Sequence, residues 1–564
     1  LSPAFGAREL SLQNRLANTL IAAAFLLTFI ALFLFRSFDN NSLFSWAWMF
    51  AEVEAAHIYL ALAAGLAIAY LLSRYSVPEG IQLPLLAALS FAAVLPFWKE
   101  AELIVDASRY FTQAKHLEMY GVQYFLKEWG RSIPAWTDLP LVPFLYGMVF
   151  SAAGEHRSAI QLFTTMLFSL TVALTYLTGK ALWNSAIGFF AALMLLGIPY
   201  LLTQVPLMLV DVPAMCFLML AVYAFLIAVR SGGSARMACS ATAIVMAVLA
   251  KYSAWFMLTV LIIVIAAYAP DRRSRIRGAV ILLIAGMISG CLMLLKLEVV
   301  SGQIALLRSY QAPGLARWGE SLASTFLFQM HPFITLFALL SIAVALIKRD
   351  ARFAVISWLG ILIVLFGIRR IRYTIPVFPM VALMAGYGMQ AVKQDNLRRF
   401  IAYSIVSTSL VIAFFAYLPL AGRMSAVNLK HAGAYLDTLS IAGAEVITLP
   451  PKNPVINHAV SVPLLDLFTN RRIHYQYEPG ILLPREELER SSLRFTWEYR
   501  NPDYYQETAT EAERSILVVI ADATDNAMPT FLERNGKQYE QARIFRTNEL
   551  IFKHTTGVGI YQPR

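Results

Sequence analysis

Two carboxylates, Asp106 and Asp211, stand at the ends of long apolar blocks in a chain whose apolar blocks hold few acids. Ionisable groups at the edge of a hydrocarbon phase are costly and tend to serve function, although a single one can also be a solvated helix cap. Lys251 marks a third such turn, and the run Arg369-Arg370-Ile371-Arg372-Tyr373 a fourth. Arginines gathered in this way suit a phosphate or pyrophosphate, which takes charge-assisted and often bidentate hydrogen bonds from guanidinium. Contact with lipid headgroups, or with acids of a soluble domain, is the alternative use of the cluster.

The elements that position these residues follow from composition. Of 564 residues, 58% are hydrophobic and 14% charged, against about a quarter charged in a soluble protein. The apolar residues come in blocks of about 20, the length that crosses a hydrocarbon core about 30 Å thick. The expected spans lie near 16–35, 55–73, 82–98, 158–177, 186–203, 212–229, 237–250, 253–269, 278–297, 330–347, 353–368, 374–391 and 399–419. The stretch 186–229 is twice one membrane width, and Pro199, Gln204, Pro206, Asp211 and Pro213 fold it into two helices. Lys251, Tyr252 and Ser253 split 237–269 in the same way.

The net charge of +11 is explained by basic residues in short turns, as the positive-inside rule expects, and not by nucleic-acid binding, for which no basic patch is interleaved with exposed aromatics. With a cytoplasmic N-terminus, every inside turn carries Lys or Arg, from Arg8 and Arg15 through Arg74, Lys180, Arg230 and Arg272 to Lys348 and Arg398. Asp106, Asp211, Lys251 and Arg370 then all fall outside, and the basic run 369–372 breaches the rule. The first block is longer than a signal-peptide core and lacks a small-residue cleavage site after it, so it reads as a retained helix. Cys216, Cys239 and Cys291 have neither metal-ligand nor disulfide spacing.

Residues 1–423 are therefore expected to form a transmembrane domain of about 13 helices, with a long outer loop at 99–157. Within that loop, 106–129 has helical spacing with one apolar face, suited to lying along a membrane surface, and 139–152 is a short apolar segment. Residues 424–564 lose the long apolar runs and read as an extracytoplasmic α/β domain, with strands at 444–449, 472–477 and 515–521 and helices at 429–440 and 528–535. The span centres are almost free of ionisable residues, which argues against a transporter; a flippase of lipid-linked sugars remains the alternative. No nucleotide-binding glycine pattern occurs.

The order of these features resembles the GT-C superfamily of membrane glycosyltransferases, in the branch of protein O-mannosyltransferases and lipid A aminoarabinose transferases. The resemblance rests on Asp106-Ala107-Ser108-Arg109-Tyr110, Thr137-Asp138-Leu139-Pro140 with the apolar stretch after it, Leu209-Val210-Asp211, Ala250-Lys251-Tyr252, and Arg370-Ile371-Arg372-Tyr373-Thr374-Ile375-Pro376. Ala107 and Leu139 stand where relatives often carry Glu and Lys. The resemblance implies an integral protein of the inner or plasma membrane. It implies a sugar donor on polyprenyl phosphate and inversion at the anomeric carbon. It further implies a glycan, lipid or protein acceptor and Asp106 acting at the acceptor hydroxyl as base, within about 2.6–3.2 Å in the reactive complex. Asp211 is the second carboxylate, expected to position the acceptor or to raise the basicity of Asp106 by like charge. Lys251, Arg370 and Arg372 are expected to neutralise the leaving phosphate, while Arg109, Tyr110, Asp138, His331 and Tyr373 complete the candidate substrate-binding set. His331 with Pro332 also fits a simple helix start. No cofactor is expected; a divalent metal between Asp106 and Asp211 would lack a third ligand.

Overall fold

The computed structural model describes residues 3–51, 53–314, 317–424, 426–451, 456–477, 484–506, 516–522, 528–534, 536–547 and 555–564. Every expected membrane segment coincides with a helix or a broken helix, from Pro3–Leu34 and Ala55–Ser73 through Arg157–Leu182 and Asp211–Ser231 to Asp395–Ile412. Seven helices among the described residues are long and apolar enough to cross a membrane, and six more are apolar but shorter. The break proposed inside 186–229 is real: Ser185–Leu196 and Pro199–Gln204 are separate helices, and the next begins at Asp211. Pro199 stands in the first turn of the second piece, where its missing N–H costs nothing.

Asp211–Ser231 is the most enclosed of the seven, packed by Arg157–Leu182, Ser234–Ala250 and Arg272–Leu295. Small residues let other helices close on one another, since without a hydrophobic force inside lipid the gain is close packing. A methyl group on Gly386 would lie 2.6 Å from the backbone nitrogen of Ala191, so Phe378–Gly388 and Ser185–Leu196 touch backbone to backbone. At one end of the bundle the basic turns meet: Lys180 pairs with Glu79 at 2.8 Å, Arg352 with Asp350 at 2.9 Å, and Arg399 Nε donates to Ser73 O at 2.9 Å.

The opposite end carries the loops expected outside and a sheet domain. The amphipathic stretch forms the helix Ala107–Glu128, broken at Gly121, whose φ of 83° is open to glycine. It is clamped to Leu141–Ala153, because Gly147 lets the carbonyl of Ala114 approach to within 2.8 Å of where a Cβ would stand.

The sheet has six strands: β1 Gly443–Thr448, β2 Arg472–Tyr475, β3 Leu517–Asp522, β4 Phe531–Arg534, β5 Lys537–Phe545 and β6 Thr556–Pro563. They lie in the order β2-β1-β3-β6-β5-β4, with β1 parallel to β2 and β3, and the other pairings antiparallel. The helix expected at 429–440 is present as Val427–Thr438. The expected helix at 528–535 is instead β4, which pairs with β5 at the sheet edge. Its exposure alternates residue by residue, the period of a strand with one wetted face. Ser515 and Asn535, the ends of two expected elements, lie outside the described residues.

Candidate active site

Asp106 lies just before the first turn of Ala107–Glu128 and Asp211 opens Asp211–Ser231, so two helix starts place the two carboxylates. The turn leading to Asp211 is fixed from the outer loop. Tyr146 donates to Leu209 O at 2.6 Å, and Glu102 accepts from Met208 N at 3.1 Å while holding Arg157 at 3.0 Å.

Arg372 joins the pair: its Nη1 lies 2.5 Å from Oδ2 of Asp106 and its Nε 3.0 Å from Oδ2 of Asp211. Lys251, in an extended turn between helices, pairs with the other oxygen of Asp211. Asp106 also faces Arg109 at 3.3 Å, and Arg109 reaches Asp138 at 3.1 Å. Arg372 thus bridges the two carboxylates.

These groups wall a cavity of about 730 Å³, a size suited to a small-molecule substrate. Asp106, Arg109, Tyr110, Asp138, Lys251, Arg370, Arg372 and Tyr373 all line it. Asp211 is 1% exposed and sits behind Lys251 and Arg372 rather than lining the cavity. His331 is also placed elsewhere. It is 2% exposed, caps its own helix by accepting from Phe333 N, bonds Thr408 at 3.1 Å, and packs against Phe25 and Phe29. The helix-start reading of His331-Pro332 is the one the geometry supports.

Burial disfavours the charge on Asp106, but Arg372 and then Arg109 outweigh it and hold the carboxyl below its ordinary range. Asp211 raises it by like charge, as expected, but by less than the arginines lower it. Asp138 goes upward because burial exceeds the pull of Arg109. Its two oxygens accept from Arg109 Nη2 and Gln113 Nε2, each at 3.1 Å.

The breach of the positive-inside pattern is balanced largely within the chain. Arg372 has its two aspartates, and Arg370 lies 3.5 Å from Glu320, with its guanidinium 3.6 Å above the Trp318 ring. Glu320 in turn accepts from Ser42 Oγ at 2.7 Å. Arg370 Nη1 lies 3.5 Å from Tyr373 Oη.

Sequence reasoning passed over three parts of this wall. Residues 37–48, between the first two long helices, contribute Asp39, Asn41 and Trp48. Asp39 is pushed up to about 6 by burial, against hydrogen bonds from Ser324, Trp46 N, Asn41 N and Gln329. Residues 307–318 contribute Arg317, which has no carboxylate partner among the described residues and stacks on Tyr310 with its carbon 4.2 Å from the ring centre. The sheet domain contributes Phe495. The only available signals were an Asp-Asn-Asn run and a lone outer arginine, neither of which is specific.

Residues 135–296 match the family model of dolichyl-phosphate-mannose-protein mannosyltransferases. A search of curated proteins gives no match. Among solved structures, the fold matches ArnT from Cupriavidus metallidurans bound to undecaprenyl phosphate. That protein is 12% identical, with 84% of this chain and 97% of that chain covered and a TM-score of 0.52. The archaeal oligosaccharyltransferase AglB from Archaeoglobus fulgidus, solved with an inhibitory peptide and a dolichol-phosphate, is 13% identical over 83% of this chain and 70% of its own, with a TM-score of 0.46. The chain thus resembles dolichyl-phosphate-mannose-protein mannosyltransferases in sequence over residues 135–296, and over most of its length it shares the fold of ArnT. The chain is an integral membrane protein.

Proposed function

We propose that the protein transfers a sugar from a polyprenyl-phosphate carrier to an acceptor hydroxyl, with Asp106 as the base. The observation that carries this reading is a carboxylate, Asp106, facing a cavity that is also lined by Lys251, Arg317, Arg370 and Arg372. The reading further takes about 13 spans, a cytoplasmic N-terminus in the inner or plasma membrane, and a sheet domain from about residue 424 on the extracytoplasmic side.

In the resting arrangement Asp106 is a weak base, because Arg372 stabilises its charge. A donor phosphate competes for that guanidinium and for Arg317, Arg370 and Lys251. As Arg372 turns toward the phosphate, the stabilisation of Asp106 falls and its affinity for a proton rises. The acceptor hydroxyl then gives its proton to Asp106 while its oxygen bonds to C1 of the sugar from the face opposite the phosphate. The C1–O bond to phosphate breaks, its electron pair stays on the phosphate oxygen, and the anomeric centre inverts. Matched by arginine and lysine, the phosphate needs no proton in order to leave. Asp211 touches neither partner; it is a positioning residue that holds Lys251 and Arg372 in place.

The test is sugar transfer from synthetic polyprenyl-phosphate hexoses and pentoses to a membrane extract, comparing wild type with Asp106→Asn. Transfer that vanishes in a folded variant supports the reading. Persistent transfer moves the base to another residue, and no transfer with any donor reopens the flippase reading.

A further inference from the structure

A second cavity, of about 760 Å³, adjoins the first. The two share Arg109, Trp136 and Phe495 as a partition. Its other walls come from three parts of the chain. Gln113 lies on Ala107–Glu128, Gln303 on Leu297–Leu306, and Tyr499 and Arg500 belong to the sheet domain.

One feature of this cavity is unusual. Trp136 has a φ of 48°, a left-handed conformation that bulky residues avoid and that tends to persist at ligand clamps. Its ring sits edge-on to Tyr310 at 5.9 Å and tilted to Phe495 at 6.4 Å.

We propose that this second cavity binds the saccharide part of a glycan acceptor and presents one hydroxyl past the partition to Asp106. The inference rests on the glycosyl-transfer reading above and specifies its acceptor. A pyranose ring has an apolar C–H face for the aromatic faces of Trp136, Phe495 and Tyr499. Its rim of hydroxyls can accept from Arg500, which lines the cavity. Among the described residues no strand of the sheet lines the cavity, so an extended peptide finds no backbone edge there to pair with. The route is short, because the guanidinium of Arg109 forms the partition and already lies 3.3 Å from Asp106. The sheet domain thereby acquires a role, as one wall of an acceptor site.

The experiment uses the full chain in lipid nanodiscs, with mannobiose, cellobiose and di-N-acetylchitobiose as probes read by saturation-transfer NMR. Undecaprenyl phosphate binding is measured in parallel. At least one disaccharide is expected to bind wild type and to bind Tyr499→Ala and Tyr499→Leu about tenfold more weakly. Should those variants fold poorly, Arg500→Ala at the exposed rim is expected to weaken binding about threefold. The proposal is overturned if no disaccharide binds, if the variants bind as wild type does, or if a serine-containing peptide takes the site in preference. Disaccharide binding with no undecaprenyl phosphate binding would overturn the donor reading while supporting the saccharide site.

Discussion

Asp106 and Asp211 share one guanidinium: each gives Arg372 an oxygen, at 2.5 Å and 3.0 Å respectively. Neither carboxylate touches the other's second cation, since Arg109 serves Asp106 and Lys251 serves Asp211. Removing Arg372 leaves each carboxylate with one cation and takes away the charge they share. The cost stays below the roughly 3–5 kcal/mol of a buried charge left with no partner. Arg372→Gln is expected to lower the unfolding temperature clearly and to abolish transfer. Arg372→Lys keeps the charge but not the fork, and should fold while transferring slowly. An unchanged melting curve for Arg372→Gln would mean that the shared contact carries no load.

The two aspartates should fail differently. Asp106→Asn removes the proton acceptor and is expected to cost about 10²–10⁴ in kcat, with donor binding retained. Asp211→Asn leaves Asp106 in place but loosens Lys251 and Arg372, so the expected change is weaker donor binding with a smaller fall in kcat. Steady-state kinetics against donor concentration separate the two. Identical profiles would refute the division between base and positioning residue.

Away from the cavity, Lys115 on Ala107–Glu128 lies 2.7 Å from Asp466 of the sheet domain and 3.1 Å from Glu155. Burial and then the Asp466 carboxylate push Glu155 up to about 8, against the pull of Lys115. A carboxyl raised by folding stabilises the fold fully below its unfolded value, about 4.3. That contribution is lost as pH climbs through about 8. Glu155→Gln cannot ionise, so its unfolding temperature should gain on wild type between pH 5 and 9, by on the order of 2 °C. Parallel curves across that range would show that Glu155 carries its charge throughout.

Gly147 sets the distance between the helix that follows Asp106 and Leu141–Ala153. A Cβ there would stand 2.7 Å from Leu117 Cβ and 2.8 Å from the Ala114 carbonyl, and a backbone atom cannot swing aside. Gly147→Val is expected to cost about 1–3 kcal/mol and to reduce transfer further than stability, because the helix carrying the site must shift. Wild-type turnover in this variant would show that the helix spacing is irrelevant to catalysis.

What was legible in the sequence was what is local. Membrane helices announce themselves by length and apolarity, and proline and charge mark where they break. The charged residues at their ends stood out for the same reason, which is why Asp106, Lys251 and Arg372 could be named beforehand. The rotation of a helix about its axis is set by its neighbours, so the sequence could not tell whether His331 turned to the cavity or to Phe25. The wall formed by Asp39, Arg317 and Phe495 needs contacts across much of the chain. β4 went unrecognised although Asn535-Gly536 is a hairpin signal; Arg534 pairs with Lys537 across it, and Gly536 has a φ of 72°.

The wall of the first cavity takes Asp39 from its first turn, Arg372 from a late one and Phe495 from the sheet domain. A ribosome delivers these residues in that order, so the chamber has no floor or lid until translation is nearly finished. Premature termination anywhere before the sheet domain would yield an inserted yet silent protein, and assays of such fragments would report on membrane insertion alone.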